Sequence, residues 1–464
     1  MARTGLQTAR STTDADRATV TPPWQVVAER NLPTIAELTW LADRQTGALA
    51  RIAASGLPDS ASEAWRYTNL NAYAKRWSGF LAAEQDTNSV AGSPSPSLAA
   101  SQTVSPQPGP DDINLDLIDG RLSRLPGEVR QGLTIQSFRS LSELSRERVD
   151  TLLQLQAGGT SNDALVDLNT ALLHDGLLIA TSPGQQQLPT IHLRSHLSAT
   201  SLIQSRVLVD VAPGSHLSLI VEHSGAPGCL SNTVLQIRLG QDSRLGLVRV
   251  QALPGDGMAT ESTLIELADA AELAVTSVDM GAQLSRQTLT ILLAGTGASA
   301  DVQGMFLADG NRHIDNQTSM VHKAPGTTSR ETFRGIADDH GRGIFGGRIL
   351  VLPGAAGSNA ALTNRNLLLA PTAEINTKPE LEIYVDDVRC SHGATTGQLD
   401  ANALFYLQSR GLDAADARKV LTVAFLREGL SGIPDLALRA RLDAQLKARM
   451  GKSSTANLRM GAPA

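Results

Sequence analysis

The residues best suited to chemistry in this 464-residue chain are Cys390 and His392, separated only by Ser391. Thiolate and imidazole are soft or borderline donors that suit iron and zinc. On a β-strand, positions i and i+2 point to the same side, so the two side chains would face one space. Two ligands do not close a tetrahedral site, which wants four. On residue types alone the simpler reading, one buried thiol and one hydrogen-bonded histidine, is preferred. If the pair does bind metal, the missing ligands must come from another chain. Gly393 follows directly and Gly397 is close by, so a backbone bend is expected there, presenting the side chains at an edge.

The other chemistry-bearing residues form weaker sets. His313, His322 and His340 lie among Asp309, Asp315, Asp338 and Asp339, but spacings of nine and eighteen match no metal motif. They read as surface or turn histidines, and so do His216 and the pair Glu222–His223. Gly451–Lys452–Ser453 looks like the end of a phosphate loop, yet the earlier glycine the motif needs is replaced by Leu446. Gly341–Arg342–Gly343, with Gly346 and Gly347, lacks the strand–loop–helix context of a dinucleotide site. Asn316–Gln317–Thr318 fits a glycosylation sequon, but nothing suggests secretion. No nucleophile elbow, HExxH helix or serine–histidine–carboxylate set is recognisable.

The elements that must position these residues follow from composition and period. A net charge of −6 argues against nucleic acid as a partner. No run of 18 uncharged apolar residues suggests a membrane span, and the first ten residues lack a secretory apolar stretch. Two cysteines, Cys229 and Cys390, suit a reducing compartment, so a soluble cytoplasmic protein is expected. All four tryptophans (Trp24, Trp40, Trp65, Trp77) precede residue 78, while aromatics make up only 3% of the chain and glycine numbers 40. The long middle must build its core from Val, Ile, Leu and Ala, with many tight turns.

Residues 1–20 read as disordered, 21–83 as a helical region and 84–112 as a low-complexity linker rich in Ser, Pro, Gln and Gly. Residues 113–187 read as a helical or mixed lead-in. From 188 to 400 the apolar period becomes two, with an internal repeat. VDVAPGSHLSLIVE begins at Val209, IRLGQDSRLGLVRV at Ile237 and IELADAAELAVTSV at Ile265, 28 residues apart each time. Related segments start at Ile291 and, about two repeats on, at Ile349. Each unit reads as strand, tight turn, strand, and cannot cover its own apolar face unless copies stack. A mainly β protein with a parallel β-helix (β-solenoid) core is predicted; a β-sandwich is the alternative. Residues 401–464 return to helix, with Asp413 a candidate N-cap. There Leu438, Leu442, Leu446 and Met450 recur at i+4 steps, read as packing against the solenoid end or as a docking surface for a partner.

Residues 378–408, KPELEIYVDDVRCSHGATTGQLDANALFYLQ, continue as SRGLDAADARKVLTVAFLREGL. This stretch resembles the C-terminal signature of the SufB/SufD family, core subunits of the Suf iron–sulfur cluster assembly machinery. The upstream segment from Phe333 (FRGIADDHGRGIFGGRILVLPGAAG) and the N-terminal motif Glu63–Ala64–Trp65–Arg66–Tyr67–Thr68–Asn69–Leu70 are similar to the same family. Cys-Ser-His-Gly-Ala-Thr, followed by a Gly and Leu-Asp, is closer to its SufD-type branch than to its cysteine-richer SufB-type branch.

The resemblance implies a right-handed parallel β-helix with helical N- and C-terminal regions. It also implies a heterodimer with a SufB-like subunit, C-terminal helices that dock a SufC-like ATPase, and pairing with a second copy when the chain is alone. It places His392 at the subunit interface, holding transient iron or a nascent Fe–S cluster together with partner cysteines. It leaves Cys390 open between a ligand and a buried thiol. The chain would then be a non-catalytic scaffold with no tightly bound cofactor, no nucleic acid and no membrane. Two other readings stay open: a purely structural adaptor for the ATPase, and a β-helical enzyme acting on polysaccharide. The second is disfavoured because the repeat region offers only Phe306, Phe333, Phe345 and Tyr384 as aromatics.

Overall fold

The computed structural model describes residues 21–29, 35–87, 112–123, 131–155 and 163–457. The expected disordered N-terminus and most of the expected linker lie outside these residues. The strands are β1 (Ile113–Ile118), β2 (Arg121–Leu122), β3 (Leu133–Ser137), β4 (Leu177–Thr181), β5 (Ile191–Leu197), β6 (Leu202–Val211) and β7 (His216–Gly225). They continue as β8 (Leu230–Leu239), β9 (Arg244–Gln251), β10 (Met258–Leu267), β11 (Glu272–Asp279), β12 (Leu284–Leu293) and β13 (Ser299–Ala308). The last six are β14 (His313–His322), β15 (Thr328–Ala337), β16 (Arg342–Val351), β17 (Ser358–Leu368), β18 (Glu374–Ile383) and β19 (Val388–Gly397).

Successive strands alternate between two sheets. One has the order β19-β17-β15-β13-β11-β9-β7-β5-β1-β2, the other β18-β16-β14-β12-β10-β8-β6-β4-β3. From β5 and β6 onward every pairing is parallel. The β-sandwich alternative is thereby excluded, and the chain winds as a β-solenoid. Pairing begins before residue 188, because β1 already pairs in parallel with β5 and β4 with β6. The six-residue β1, INLDLI, alternates buried and half-buried positions, too short a signal to stand out in the sequence.

The 28-residue repeat is the coil itself. Val209, Ile237, Ile265, Ile291, Met320 and Ile349 are register partners in one column, all fully buried between the sheets. The corners after β6, β8, β10, β12, β14 and β16 each hold a residue in the left-handed region at matching positions: Gly214, Asp242, Ala270, Gly297, Gly326 and Gly357. The N–H of each donates to a carbonyl in the next corner at 2.7–3.1 Å, so the corners form a ladder of their own. Glycine at most of these positions removes the steric penalty of positive φ.

Helices cover both outer faces. α1 (Pro23–Glu29), α2 (Ala42–Ser55), α3 (Asn71–Thr87), α4 (Glu143–Leu153) and α5 (Ala164–Ala171) serve the even-strand sheet, and α3 runs four residues past the expected boundary at 83. Trp65, Tyr73 and Trp77 pack there on Leu230, Met258 and Leu284. α6 (Ala401–Ser409), α7 (Ala414–Arg427) and α8 (Leu436–Asn457) follow β19. Leu438, Leu442, Leu446 and Met450 pack with Val248, Val250, Met280 and Met305 on the outer face of the odd-strand sheet. The expectation that this stripe caps the solenoid end is therefore corrected. The flat outer face offered the larger apolar area, and burying area is what drives such packing. No helix among the described residues is long and apolar enough to cross a membrane.

The motif from Glu63 to Leu70 is a clasp onto this surface. The Arg286 guanidinium lies 3.7 Å from the centroid of the Trp65 ring and donates to the Ala64 carbonyl at 2.8 Å. Arg286 and the Thr68 hydroxyl both meet the fully buried Asp315 carboxylate, and His313 Nε2 sits 2.9 Å from the Thr68 hydroxyl. Replacing Asp315 by Ala leaves a buried cation unpaired, and such losses cost about 3–5 kcal/mol. The expected result is a lower urea midpoint together with earlier protease cleavage in residues 35–87; an unchanged midpoint would show that the clasp contributes nothing.

Candidate functional site at the open end of the solenoid

The two ends of the solenoid differ. At the first, β2 and β3 run antiparallel to β1 and β4 and close the sheets with short reversed strands. At the second, β18 pairs only with β16 and β19 only with β17 among the described residues. Both final strands therefore present unpaired backbone groups. Cys390 and His392 lie on β19, in register with Ala360 and Leu362. Those two are buried core residues, so Cys390 and His392 extend inward-facing columns at the point where the solenoid stops.

The expected shared face is therefore observed. The expected bend at Gly393 is not, because β19 continues through it to Gly397. Topology, not a bend, brings the pair to an edge. Cys390 is half-buried against the core, and burial pushes its thiol pKa up, partly offset by a hydrogen bond with the Ala360 backbone. His392 is exposed and has no hydrogen-bond partner among the described residues. No group of three His, Cys, Asp or Glu able to hold a metal occurs among those residues. The described residues thus bring two donors of the kinds that suit iron or zinc to one edge, short of a closed site.

The remaining histidines separate by environment. His340 is exposed in a turn, as expected. His322 is fully buried, against expectation. Its ring nitrogens lie 2.8 and 2.9 Å from the Thr327 and Ser329 hydroxyls, and burial pushes its pKa down to about 4. His223 is also buried, 3.4 Å from Glu261, which in turn meets Arg249 at 2.7 Å. Arg249 reaches Asp279 at 2.8 Å. Burial opposes ionisation of Glu261, but Arg249 and His223 prevail and hold its pKa at about 2. These are interior ion pairs of the coil stack, not a site open to substrate. One group escaped the sequence reading altogether. Glu331 is 1% exposed with both carboxylate oxygens unpartnered. Its only signal was an acidic residue at an inward phase of β15.

Phe306, Phe333 and Phe345 are fully buried inside the solenoid, with Phe333 and Phe345 4.8 Å apart between ring centroids. Gly304 and Gly335 make room for them, since a Cβ at either would stand about 2 Å from a phenyl carbon. With Tyr384 the one exposed aromatic of those four, the described residues of the repeat region offer no row of aromatics on which a sugar chain could stack.

The fold is thus a β-solenoid with helical wrappings, carrying a cysteine and a histidine on its last strand. Residues 194–425, from β5 to α7, match the family profile for the SufBD core domain of the SUF system for FeS cluster assembly. An iron–sulfur cluster assembly SufBD family protein of Synechocystis is 29% identical over 436 residues, 90% of this chain and 93% of that protein. The iron–sulfur cluster assembly protein SufD of Escherichia coli is 34% identical over 171 residues, 37% of this chain and 40% of that protein. The chloroplastic protein ABCI7 of Arabidopsis thaliana is 26% identical over 341 residues, 70% of this chain and 71% of that protein. The chain belongs to the SufB/SufD family, whose role is in SUF iron–sulfur cluster assembly.

The thiol environments make a direct prediction. With burial raising both pKa values, Cys229 to about 11, iodoacetamide should label Cys390 more slowly than a free thiol at pH 8 and accelerate as pH rises further. Cys229, fully buried, should stay unlabelled until the chain is unfolded. Mass spectrometry of the labelled protein reads both sites. A Cys390 faster than free thiol would mean that a neighbouring cation stabilises its thiolate.

Proposed function

We propose that this chain is the SufD-type scaffold subunit of an ATP-driven iron–sulfur assembly complex, cytoplasmic and without catalysis of its own. The observation that carries the reading is the position of His392, an imidazole without a partner among the described residues, on the last strand of the solenoid, whose outer edge is unpaired among them. A SufB-like subunit would join at this end, where two strand edges await partners. Its thiolates would complete the donor set with His392, and Cys390 would serve as a fourth ligand or stay a packed thiol. Iron or the growing cluster is cargo at this site. Neutral imidazole is a weaker, more exchangeable ligand than thiolate, which suits a cluster that must be handed on.

The ATPase would dock on the C-terminal helices. α6 has no buried residue although Leu404, Phe405, Tyr406 and Leu407 lie on it. Phe405 is 73% exposed and Tyr406 56%. An apolar helix left bare on an otherwise well-covered protein fits a groove on another. Closure of two ATPase subunits on ATP would pull on these helices and reshape the edge that carries His392.

Two measurements test the reading. Tagged chain co-expressed with SufB- and SufC-like subunits should copurify as a ternary complex that gains iron and sulfide anaerobically. His392→Ala should keep the complex and lose most of the iron and sulfide. Unchanged loading in an intact complex would leave a structural adaptor without a metal role. The double variant Phe405→Ala, Tyr406→Ala should weaken ATPase binding at least tenfold while retaining the SufB-like partner, since buried aromatics dominate such contacts. Equal ATPase binding would move the dock elsewhere.

A further inference from the structure

We propose that Glu331 is a proton-operated lock on the last two coils of the solenoid, closed while its carboxyl is protonated and loosened when the proton leaves. Glu331 points inward from β15, in register between Val302 on β13 and Leu362 on β17. Both neighbours are buried and apolar, so a carboxylate there is sandwiched between hydrocarbon layers. Thr318, inward on β14, is the polar side chain that faces it. Its hydroxyl already donates to the Gly346 carbonyl at 3.3 Å. It therefore has a lone pair left to accept, and a protonated Glu331 can complete the chain from carboxyl to hydroxyl to carbonyl. A carboxylate offers no proton; the Thr318 hydroxyl could turn to donate to it, which opposes the effect of burial, but its other lone pairs would stay buried without a donor.

No compensating charge faces this position. Asp301 on β13, Arg330 and Arg334 on β15, Asp315 on β14, Arg342 and Arg348 on β16 and Arg365 on β17 are all at the opposite phase of their strands. They therefore point outward. On β18, Glu374, Lys378, Glu380 and Glu382 do the same. From β13 to β19 the other inward titratable groups are His322, bonded to Thr327 and Ser329 and with its pKa pushed down by burial, and, beyond Leu362 and Ala360, His392 and Cys390. The inward set of His223, Arg249, Glu261 and Asp279 lies on β7 to β11, on the far side of Val302, and is paired within itself. Burial accordingly pushes the Glu331 pKa up to about 7.

The direction follows from linkage. The closed state holds the proton up to about pH 7 and the opened state only to the ordinary carboxyl range near 4.5. Closure is therefore firmest below that range and weakens as pH rises to about 7. Opening toward the unpaired edge would release β16, β17, β18 and β19, the strands between the carboxylate and that edge. Those coils carry Cys390 and His392, so exposure of the solenoid end becomes pH-dependent.

Hydrogen–deuterium exchange of the full chain at pH 5.5 and 7.5, corrected for intrinsic rates, tests this. Peptides within 342–397 should lose protection roughly twentyfold between these pH values, and those within 230–267 should not. Glu331→Gln, a neutral isostere, should abolish the difference; if it does not fold, Glu331→Leu, matching Val302 and Leu362 in the column, should do the same. Equal protection at both pH values, a loss shared by 230–267, or a loss that survives the substitution would each overturn the lock.

Discussion

Every strand of a parallel solenoid depends on the coils before and after it for its backbone hydrogen bonds, so the last coil is always in debt. Buried N–H and C=O groups must be paired, and an open edge leaves a row of them without partners. Here the open edge falls at one end on the short reversed strands β2 and β3, and at the other on the ten-residue parallel strands β18 and β19. The rest of the molecule reads as a consequence. The corner ladder and the column from Val209 to Ile349 hold successive coils in one register. Wrapping helices occupy both flat faces. What remains free is the terminal edge, and that is where the cysteine and histidine stand.

The interior argues that this edge is served from outside. Along the odd-strand sheet one inward column runs His223, Gln251, Asp279 and then Phe306. Along the facing sheet another runs Thr233, Glu261, Gln287, Asn316 and then Phe345. The polar row is cut by phenyl rings before it reaches the last coils. Phe333, set against Gly304, closes the gap between them. Close-packed rings admit neither water nor ions, so the core provides no path to Cys390 and His392. On the proposed reading, iron and the remaining ligands would have to arrive at the end face.

How far the sequence could be read follows the same geometry. The repeat from Val209 through Ile265 was legible because stacking in register forces like residues to recur at the coil length, and the parallel solenoid followed. The pairing of positions 390 and 392 on one face was legible because strand alternation is strict. Inside and outside were not. With helices over both sheets, outward positions are buried too, and polar residues appear on both faces. His223 and His322 therefore looked like surface residues, and Glu331 drew no attention, although all three are enclosed. The stripe from Leu438 to Met450 announced a packed helix but not which face it covers. The clasp from Trp65 to Arg286 joins residues 221 positions apart, a separation that no local pattern encodes.

The junction between β19 and α6 shows how events at the helices would reach the edge. Only two residues separate Gly397 from Asp400, whose carboxylate caps α6 by accepting from the Asn402 and Ala403 amides at 2.7 and 3.2 Å. A capped helix start is stiff, so a displacement of α6 is delivered to β19 and not absorbed in a loose connection. β19 is held along one side only, by β17. A strand with a single neighbour has half the ladder to resist such a pull, and the half-buried side chains of Cys390 and Val388 only partly anchor it. The exposed helix and the partnerless histidine are thus two ends of one short, stiff connection. That is the geometry required if binding energy spent on the helices is to alter the ligand field at His392.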